Sequence, residues 1–366
     1  MTETRPSRPS AAGATGTAEP APAASPDAEP ALLAAANSRP GPRIPVWFMR
    51  QAGRSLPEYR KLREGIGMLE SCRRPDLVTE ITLQPVRRYG VDGAVLFSDI
   101  VVPLAAVGVD VEIKAGIGPV IERPFRTWAD LDALPELTPS DIGFVTESVR
   151  ALVAELGEVP VIGFAGAPFT LASYLVEGGP SRDLLRTKAL MYGDPQLWRE
   201  LVARLAQISG TFLSTQVAAG ARIVQLFDSW VGALPASSYR EFVQPASRAV
   251  LDQIAEEHPG TPRIHFGVGT GELLHDIAGT GAEVVGVDFR LPLDEAVGRI
   301  GAGHAVQGNL DPALLFAPWP VLEQQVRDVV RYGRSAPGHI FNLGHGVPPG
   351  ADPDVLARVV ELVHSL

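Results

Sequence analysis

From Ile44 onward, short apolar runs alternate with longer stretches of helical periodicity. The runs fall at 45–49, 93–98, 160–165, 222–227, 263–267, 284–289, 304–308 and 339–343. Most are continuously apolar, the pattern of parallel strands covered on both faces. Between them, Val145, Val149, Leu152, Val153 and Leu156 share one helical face, as do Leu197, Leu201, Leu205, Ile208 and Phe212. The last helix is predicted to begin with Asp352 as N-cap and Pro353 in its first turn, burying Leu356, Val359, Val360 and Val363. Eight strands with intervening helices in one block of about 325 residues predict an α/β fold, a single (β/α)8 barrel over 41–366. An open doubly wound sheet is the alternative. Segment 101–125, with apolar pairs around Gly116 and Gly118, reads as a hairpin excursion from the barrel.

Residues 1–40 break this pattern. They are rich in Ala, Pro, Ser, Gly and Thr, and too poor in apolar bulk to offset ordering entropy, which predicts a disordered tail. A targeting segment is the other reading; the acidic Glu19, Asp27 and Glu29 count against it. The net charge of −10 argues against nucleic acid or an anionic membrane as the main partner, though it leaves room for a local basic pocket. One cysteine, Cys72, excludes a disulfide framework or a thiolate zinc cluster within the chain and points to a cytoplasmic protein. No apolar run nears the roughly 20 residues that span a bilayer.

In a barrel the active site lies at the C-terminal ends of the strands. The first run ends in Arg50-Gln51-Ala52-Gly53-Arg54. Two guanidinium forks fit carboxylates, and small Ala52 and Gly53 allow close backbone approach; the bland reading is a solvated surface turn. Ser98-Asp99 follows the second run, Asp99 being either a partly buried functional carboxylate or, in the bland reading, a helix cap or structural salt bridge. After the third, Tyr174 either turns its hydroxyl to the mouth or simply packs. The fourth ends in Phe227-Asp-Ser229-Trp230, where Ser229 is a candidate contact or a cap. The last ends in Gly344-His345-Gly346, whose glycines leave the imidazole unshielded, suited to meeting an anion or moving a proton near neutral pH.

Two features invite other readings. Gly267-Val-Gly-Thr-Gly271, with Asp288 beyond it, partly matches a dinucleotide loop, but Glu272 replaces its last glycine. A His-x-Cys zinc site at His265 would need a thiolate where Gly267 stands. Neither a Gly-x-Ser-x-Gly elbow nor a Gly-Lys-Ser/Thr phosphate loop occurs.

Taken together, Arg50-Gln-Ala-Gly-Arg54-x-Leu-Pro-Glu-Tyr59, Phe97-Ser-Asp99, Gly166-Ala-Pro-Phe-Thr-Leu with Tyr174, Gly308-Asn-Leu-Asp-Pro and Leu343-Gly-His-Gly346 resemble the uroporphyrinogen decarboxylase family over 31–366. Ser55 departs from the pattern, which carries an aromatic there. The resemblance implies a distorted (β/α)8 barrel acting as a homodimer, without metal or organic cofactor. The family removes the carboxyl groups of uroporphyrinogen's four acetates to give coproporphyrinogen in haem biosynthesis. By motif, Arg50 and Arg54 would hold substrate carboxylates, with backbone N–H groups from Gln51, Ala52 and Gly53. Asp99 would sit at the macrocycle's centre. Tyr174, Ser229 and His345 would touch substrate, and Tyr59, Phe97 and Phe227 would line the pocket. Arg50 and His345 are the candidates for supplying protons. A zinc- or corrinoid-type methyltransferase relative and a non-catalytic tetrapyrrole carrier are the other readings; the missing cysteine ligands count against the first.

Overall fold

A computed structural model describes residues 29–114 and 116–366. Its strands in chain order are β1 (Ala94–Val95), β2 (Val111–Lys114), β3 (Gly118–Ile121), β4 (Val161–Gly166), β5 (Ile223–Asp228), β6 (Arg263–Gly267), β7 (Val284–Gly286), β8 (Ala305–Leu310) and β9 (His339–Leu343). Seven of them form one parallel sheet in the order β1-β4-β5-β6-β7-β8-β9, with helices between successive strands. β2 and β3 make the antiparallel hairpin expected of segment 101–125.

The first run, 45–49, closes the barrel with a single bridge rather than a full strand. Val46 pairs in parallel with Phe341 of β9, and the Val46 carbonyl accepts from Asp92 N–H at 2.8 Å on the other side. Beyond Trp47 the ladder gives way to side chains. Gln51 Oε1 accepts from Phe48 N–H (3.0 Å), and Asn342 Oδ1 accepts from Met49 N–H (3.1 Å). These bonds turn the chain out of the sheet just before Arg50, and they are the distortion of this (β/α)8 barrel. Inside, Trp47 Nε1 donates to Gln307 Oε1 (3.0 Å) and Gln307 Nε2 donates to Gln225 Oε1 (2.8 Å). All three are buried, so the bonds supply what desolvation takes from their polar atoms.

The tail reading requires correction. Residues 1–28 lie outside the described residues, but Ala31–Ala36 form a helix with every residue buried. It sits against the lower rim of the barrel. A Cβ on Gly93 would stand 2.7 Å from Leu32 Cδ2, and one on Gly338 would stand 2.0 Å from the Ala35 carbonyl. Alanine is the strongest helix former, and Leu32 and Leu33 supply the apolar contact. The composition that suggested disorder therefore also encodes a small plug.

Asp92 ties the same end together. Its Oδ1 accepts from Arg43 Nε and Nη2 at 2.9 and 2.6 Å, and its Oδ2 accepts from Val46 N–H at 2.8 Å and meets His364 Nε2 at 2.7 Å. Burial works to raise this carboxyl's pKa, but His364, Val46 N–H and Arg43 together hold it below the usual carboxylate range. A depressed carboxylate contributes stability above its ordinary pKa and loses it as pH falls through the folded value. Asp92→Ala should cost about 2–4 kcal/mol in urea denaturation at neutral pH, with the gap narrowing below about pH 4.

The helices follow their patterns closely. Predicted 145–156 and 197–213 are Gly143–Leu156 and Pro195–Ala219. Asp352 caps Pro353–His364 by accepting from Asp354 N–H at 2.9 Å, and Leu356, Val359, Val360 and Val363 are buried.

Candidate active site

The turn after Met49 forces Arg50 into the left-handed region, at φ 60°. A non-glycine residue there costs roughly 1–2 kcal/mol, so surrounding contacts must hold it. Gly346 is one of them, since a Cβ there would stand 2.6 Å from Arg50 Cδ and 2.9 Å from Cγ. The stem of Arg50 thus lies across the loop that carries His345. Arg50 is exposed, and among the described residues its guanidinium has no acid partner. Gln51 is buried and spends itself internally. Its N–H donates to the Phe48 carbonyl (3.0 Å) and its Nε2 to the Gly93 carbonyl (3.0 Å). Gln51 is therefore a structural clamp here, and the N–H groups free of internal bonds among the described residues are those of Ala52 and Gly53. Arg54 lies exposed further along the rim; its carbonyl accepts from Arg60 Nη1 at 2.6 Å.

Asp99 lies within reach of the Arg50 charge. Its Oδ1 accepts from Val101 N–H at 3.1 Å, a turn bond rather than the helix cap of the bland reading, since the helix Val102–Ala106 has Val101 as N-cap and no side-chain cap; its Oδ2 makes no hydrogen bond among the described residues. The residue is half-buried, so the carboxyl is partly desolvated while the unbonded Oδ2 keeps accessible surface. That desolvation raises its pKa, against the opposing pull of Val101 N–H and the positive charge of Arg50. Behind it lies buried Cys72, whose thiol is pushed up to about 12 by burial, then by the charge of Asp99. Such a thiol is unreactive.

Tyr174 closes a third side, on the helix Pro168–Glu177 after β4. Its ring meets Trp230 edge-on at 5.8 Å, and its hydroxyl pKa is raised by burial and by Asp99, against Trp230 and Arg50. Ser229 is half-buried and caps nothing among the described residues. Neighbouring Asp228 faces away: it is fully buried and takes the Thr170 hydroxyl at 2.8 Å. Phe227 packs edge-on between Phe164 (5.4 Å) and Phe266 (6.0 Å), and Tyr59 edge-on against Phe97 (5.8 Å). His345 is exposed at the rim but crowded. Burial first, then Arg50 and Arg290, hold its pKa below the histidine norm, with Asp288 pulling the other way.

The mouth therefore joins guanidinium groups, an isolated carboxylate, a tyrosine, an imidazole and aromatic walls. The model of the family described as uroporphyrinogen decarboxylase matches residues 27–366. The uroporphyrinogen decarboxylase of Salinispora tropica is 63% identical over 339 residues, covering 93% of this chain and 91% of that protein. That of Streptomyces avermitilis is 63% identical over 337 residues, covering 92% and 94%. The chain belongs to the uroporphyrinogen decarboxylase family. Among solved structures, a methyltransferase from Methanosarcina mazei superposes with TM-score 0.74 at 18% identity, covering 91% of this chain and 97% of that one. A B12-independent methionine synthase from Shewanella sp. W3-18-1 gives 0.54 at 11%, covering 82% and 89%. At these identities the likeness is one of fold alone. Among the described residues, no three His, Cys, Asp or Glu are grouped to hold a metal.

Both distracting motifs are absorbed by the decarboxylase barrel itself. Gly269 N–H donates to Asp288 Oδ2 at 2.6 Å, so the acid that would hold a ribose latches the glycine loop instead. His265 is buried, with Nδ1 3.0 Å from Thr280 Oγ1. Ser55, the departure from the family motif, is buried. Its Oγ lies near the Tyr89 hydroxyl, without a hydrogen bond of good geometry.

Arg63 and Arg290 escaped the sequence reading. Arg63 Nη1 donates to the Tyr59 hydroxyl at 2.9 Å, and its Cζ stands 5.6 and 6.0 Å from the Tyr59 and Phe97 rings, bracing that wall. It sits nine residues past Arg54, away from any strand end. Arg290 does follow a strand run, and the strand-end rule applied to β7 would have found it.

Gly346 gives a local test. Gly346→Ala needs no unusual backbone angle but must displace the Arg50 stem. Decarboxylation kcat/KM should fall roughly 10- to 100-fold with little change in melting temperature.

Proposed function

We propose that this chain removes the carboxyl groups of the four acetate side chains of uroporphyrinogen III, yielding coproporphyrinogen III and CO2 without a cofactor. The observation that carries the reading is the placing of Arg50, within a chain of this family: its stem packs on Gly346 beside His345, and its charge reaches Asp99 and Tyr174.

Each group has a task. Arg50 and Arg54 hold substrate carboxylates, with Ala52 and Gly53 N–H groups beside them; charge-assisted forks are the strong way to bind a carboxylate. Asp99 accepts the converging pyrrole N–H groups, since an ionised carboxylate is acceptor-only. Loss of CO2 needs an electron sink. Protonating the adjacent pyrrole carbon makes a cationic ring. The bond to the acetate carboxylate then breaks, its electrons flow into the ring and CO2 leaves. The exocyclic carbon next takes up a proton and the ring carbon gives one back, so each turnover consumes one proton. Asp99 beneath the ring stabilises the positive charge as it develops. Tyr174 and Ser229 meet the substrate from the β4 and β5 sides. Tyr59, Phe97 and Phe227 form apolar wall.

His345 is the proton source in this reading. Its depressed pKa leaves the imidazole neutral near pH 7 before substrate binds. Arriving carboxylates offset the arginine charges and raise its pKa, so it takes up a proton as the site fills.

The test is incubation with uroporphyrinogen III under anaerobic, reducing conditions, with products separated by carboxylate number. Species with seven down to four carboxylates are expected; their absence from folded protein would overturn the reading. We further propose a cytoplasmic homodimer, in line with the family. The apolar surface of Leu185 (71% exposed) and Phe316 (60% exposed) is available for contact, and the single thiol is buried. Sedimentation at micromolar concentration should give twice the chain mass.

A further inference from the structure

An unbroken series of close contacts runs around one side of the mouth. Arg50 lies on Gly346, which adjoins His345 and Gly344. A Cβ on Gly344 would stand 2.2 Å from Phe289 N, so the segment after β7 abuts the segment after β9 there. Arg290 comes next, with its Cζ stacked 4.6 Å from the Phe289 ring centroid. The guanidinium is half-exposed and joined to Asp288 through Nη1. Asp288 is itself fixed, accepting from Gly269 N–H at 2.6 Å and from Arg290 N–H at 3.2 Å. Among the described residues, Nε and Nη2 of Arg290 make no hydrogen bond. A guanidinium held at one nitrogen and stacked on a ring is preorganised, and its open edge can take a planar carboxylate.

We propose that Arg290 is a further carboxylate-binding residue that sets specificity, holding a substrate side chain that projects past His345. This rests on the reading of the chain as a uroporphyrinogen decarboxylase. The chemistry is that of a polycarboxylate wider than Arg50 and Arg54 can reach. Asp288 does not cancel the site: it holds the cation in place while leaving its outer edge open.

Arg290→Leu is expected to raise KM for uroporphyrinogen III about three- to tenfold at low ionic strength, the range for one partly exposed charged pair, with kcat moving less than about twofold. The rise should shrink as salt increases, because the lost contact is electrostatic. Arg290→Lys should recover part of the affinity. Arg327→Leu, on the outer helix Trp319–Gly333, makes the same change in net charge and should leave KM alone. Inhibition by coproporphyrinogen III locates the partner. Equal weakening in Arg290→Leu assigns a side chain that survives the reaction, and unaltered inhibition assigns an acetate. An unchanged KM in Arg290→Leu at low salt would overturn the proposal. So would a fall in kcat and melting temperature at constant KM, which marks the Asp288–Arg290 pair as merely structural. Failure of the wild-type protein to turn over substrate would instead refute the decarboxylase reading itself.

Discussion

Asp99→Asn is expected to fold at least as stably as the wild type and to lose about a thousandfold or more in kcat, with Asp99→Ala losing as much. The two halves of this result share a cause. Burial raises the pKa of the Asp99 carboxyl, so folding favours its protonated form. For such an acid the sign is the reverse of Asp92. Above its folded pKa the ionised group detracts from stability, and below its unfolded pKa that penalty disappears. The neutral amide removes the penalty while retaining the shape and the bond from Val101 N–H. It also presents donors where pyrrole N–H groups need an acceptor, and it leaves a developing ring cation without a counter-charge. Calorimetry at neutral pH and single-turnover product analysis check the two halves separately. The pH profile adds a third check: kcat/KM reports the free enzyme, and its acid limb should lie above the ordinary carboxylate range, about pH 4. Near-wild-type turnover in Asp99→Asn would sink the central-carboxylate mechanism.

The barrel was legible because parallel strands leave a simple mark. β6 and β9 fall on their apolar runs residue for residue, and the strand-end rule then led to Asp99, Tyr174, Ser229 and His345. Three things were hidden, each for a physical reason. The plug helix Ala31–Ala36 has a composition shared by disordered chains, and only the glycines that receive it, Gly93 and Gly338, distinguish the two. The first strand lost its ladder because Gln51 and Asn342 bond its N–H groups by side chain, and apolar periodicity does not see such partners. Gln51 stood in a motif that suggested ligand contact, whereas its buried amide fixes the turn on which Arg50 stands. The motif thus holds both Arg50 and the group that aims it, and sequence position alone does not separate these roles.

That separation bears on Arg50, where backbone and side chain pull in opposite directions. At φ 60° the residue is strained, and glycine would adopt the angle freely. Arg50→Gly should therefore keep or slightly raise the melting temperature, while kcat/KM for uroporphyrinogen falls about 10²- to 10³-fold, roughly 3–4 kcal/mol of transition-state binding. Arg50→Lys retains the charge and the strain but not the planar fork. It should recover some KM and little kcat, because a single ammonium cannot hold an acetate in the plane that aligns the breaking bond with the ring. The same substitutions remove the guanidinium that stabilises ionised Asp99 and opposes protonation of His345. In Arg50→Gly both pKa values should rise, so the acid limb of kcat/KM moves to higher pH and the imidazole titrates closer to its ordinary value, readable by NMR of ring-labelled histidine. A large loss of melting temperature in Arg50→Gly, or full activity in Arg50→Lys, would mean that the left-handed turn serves the fold rather than the reaction. Stability kept and catalysis lost would mean that the chain tolerates an unfavourable backbone angle in order to place one fork against one carboxylate.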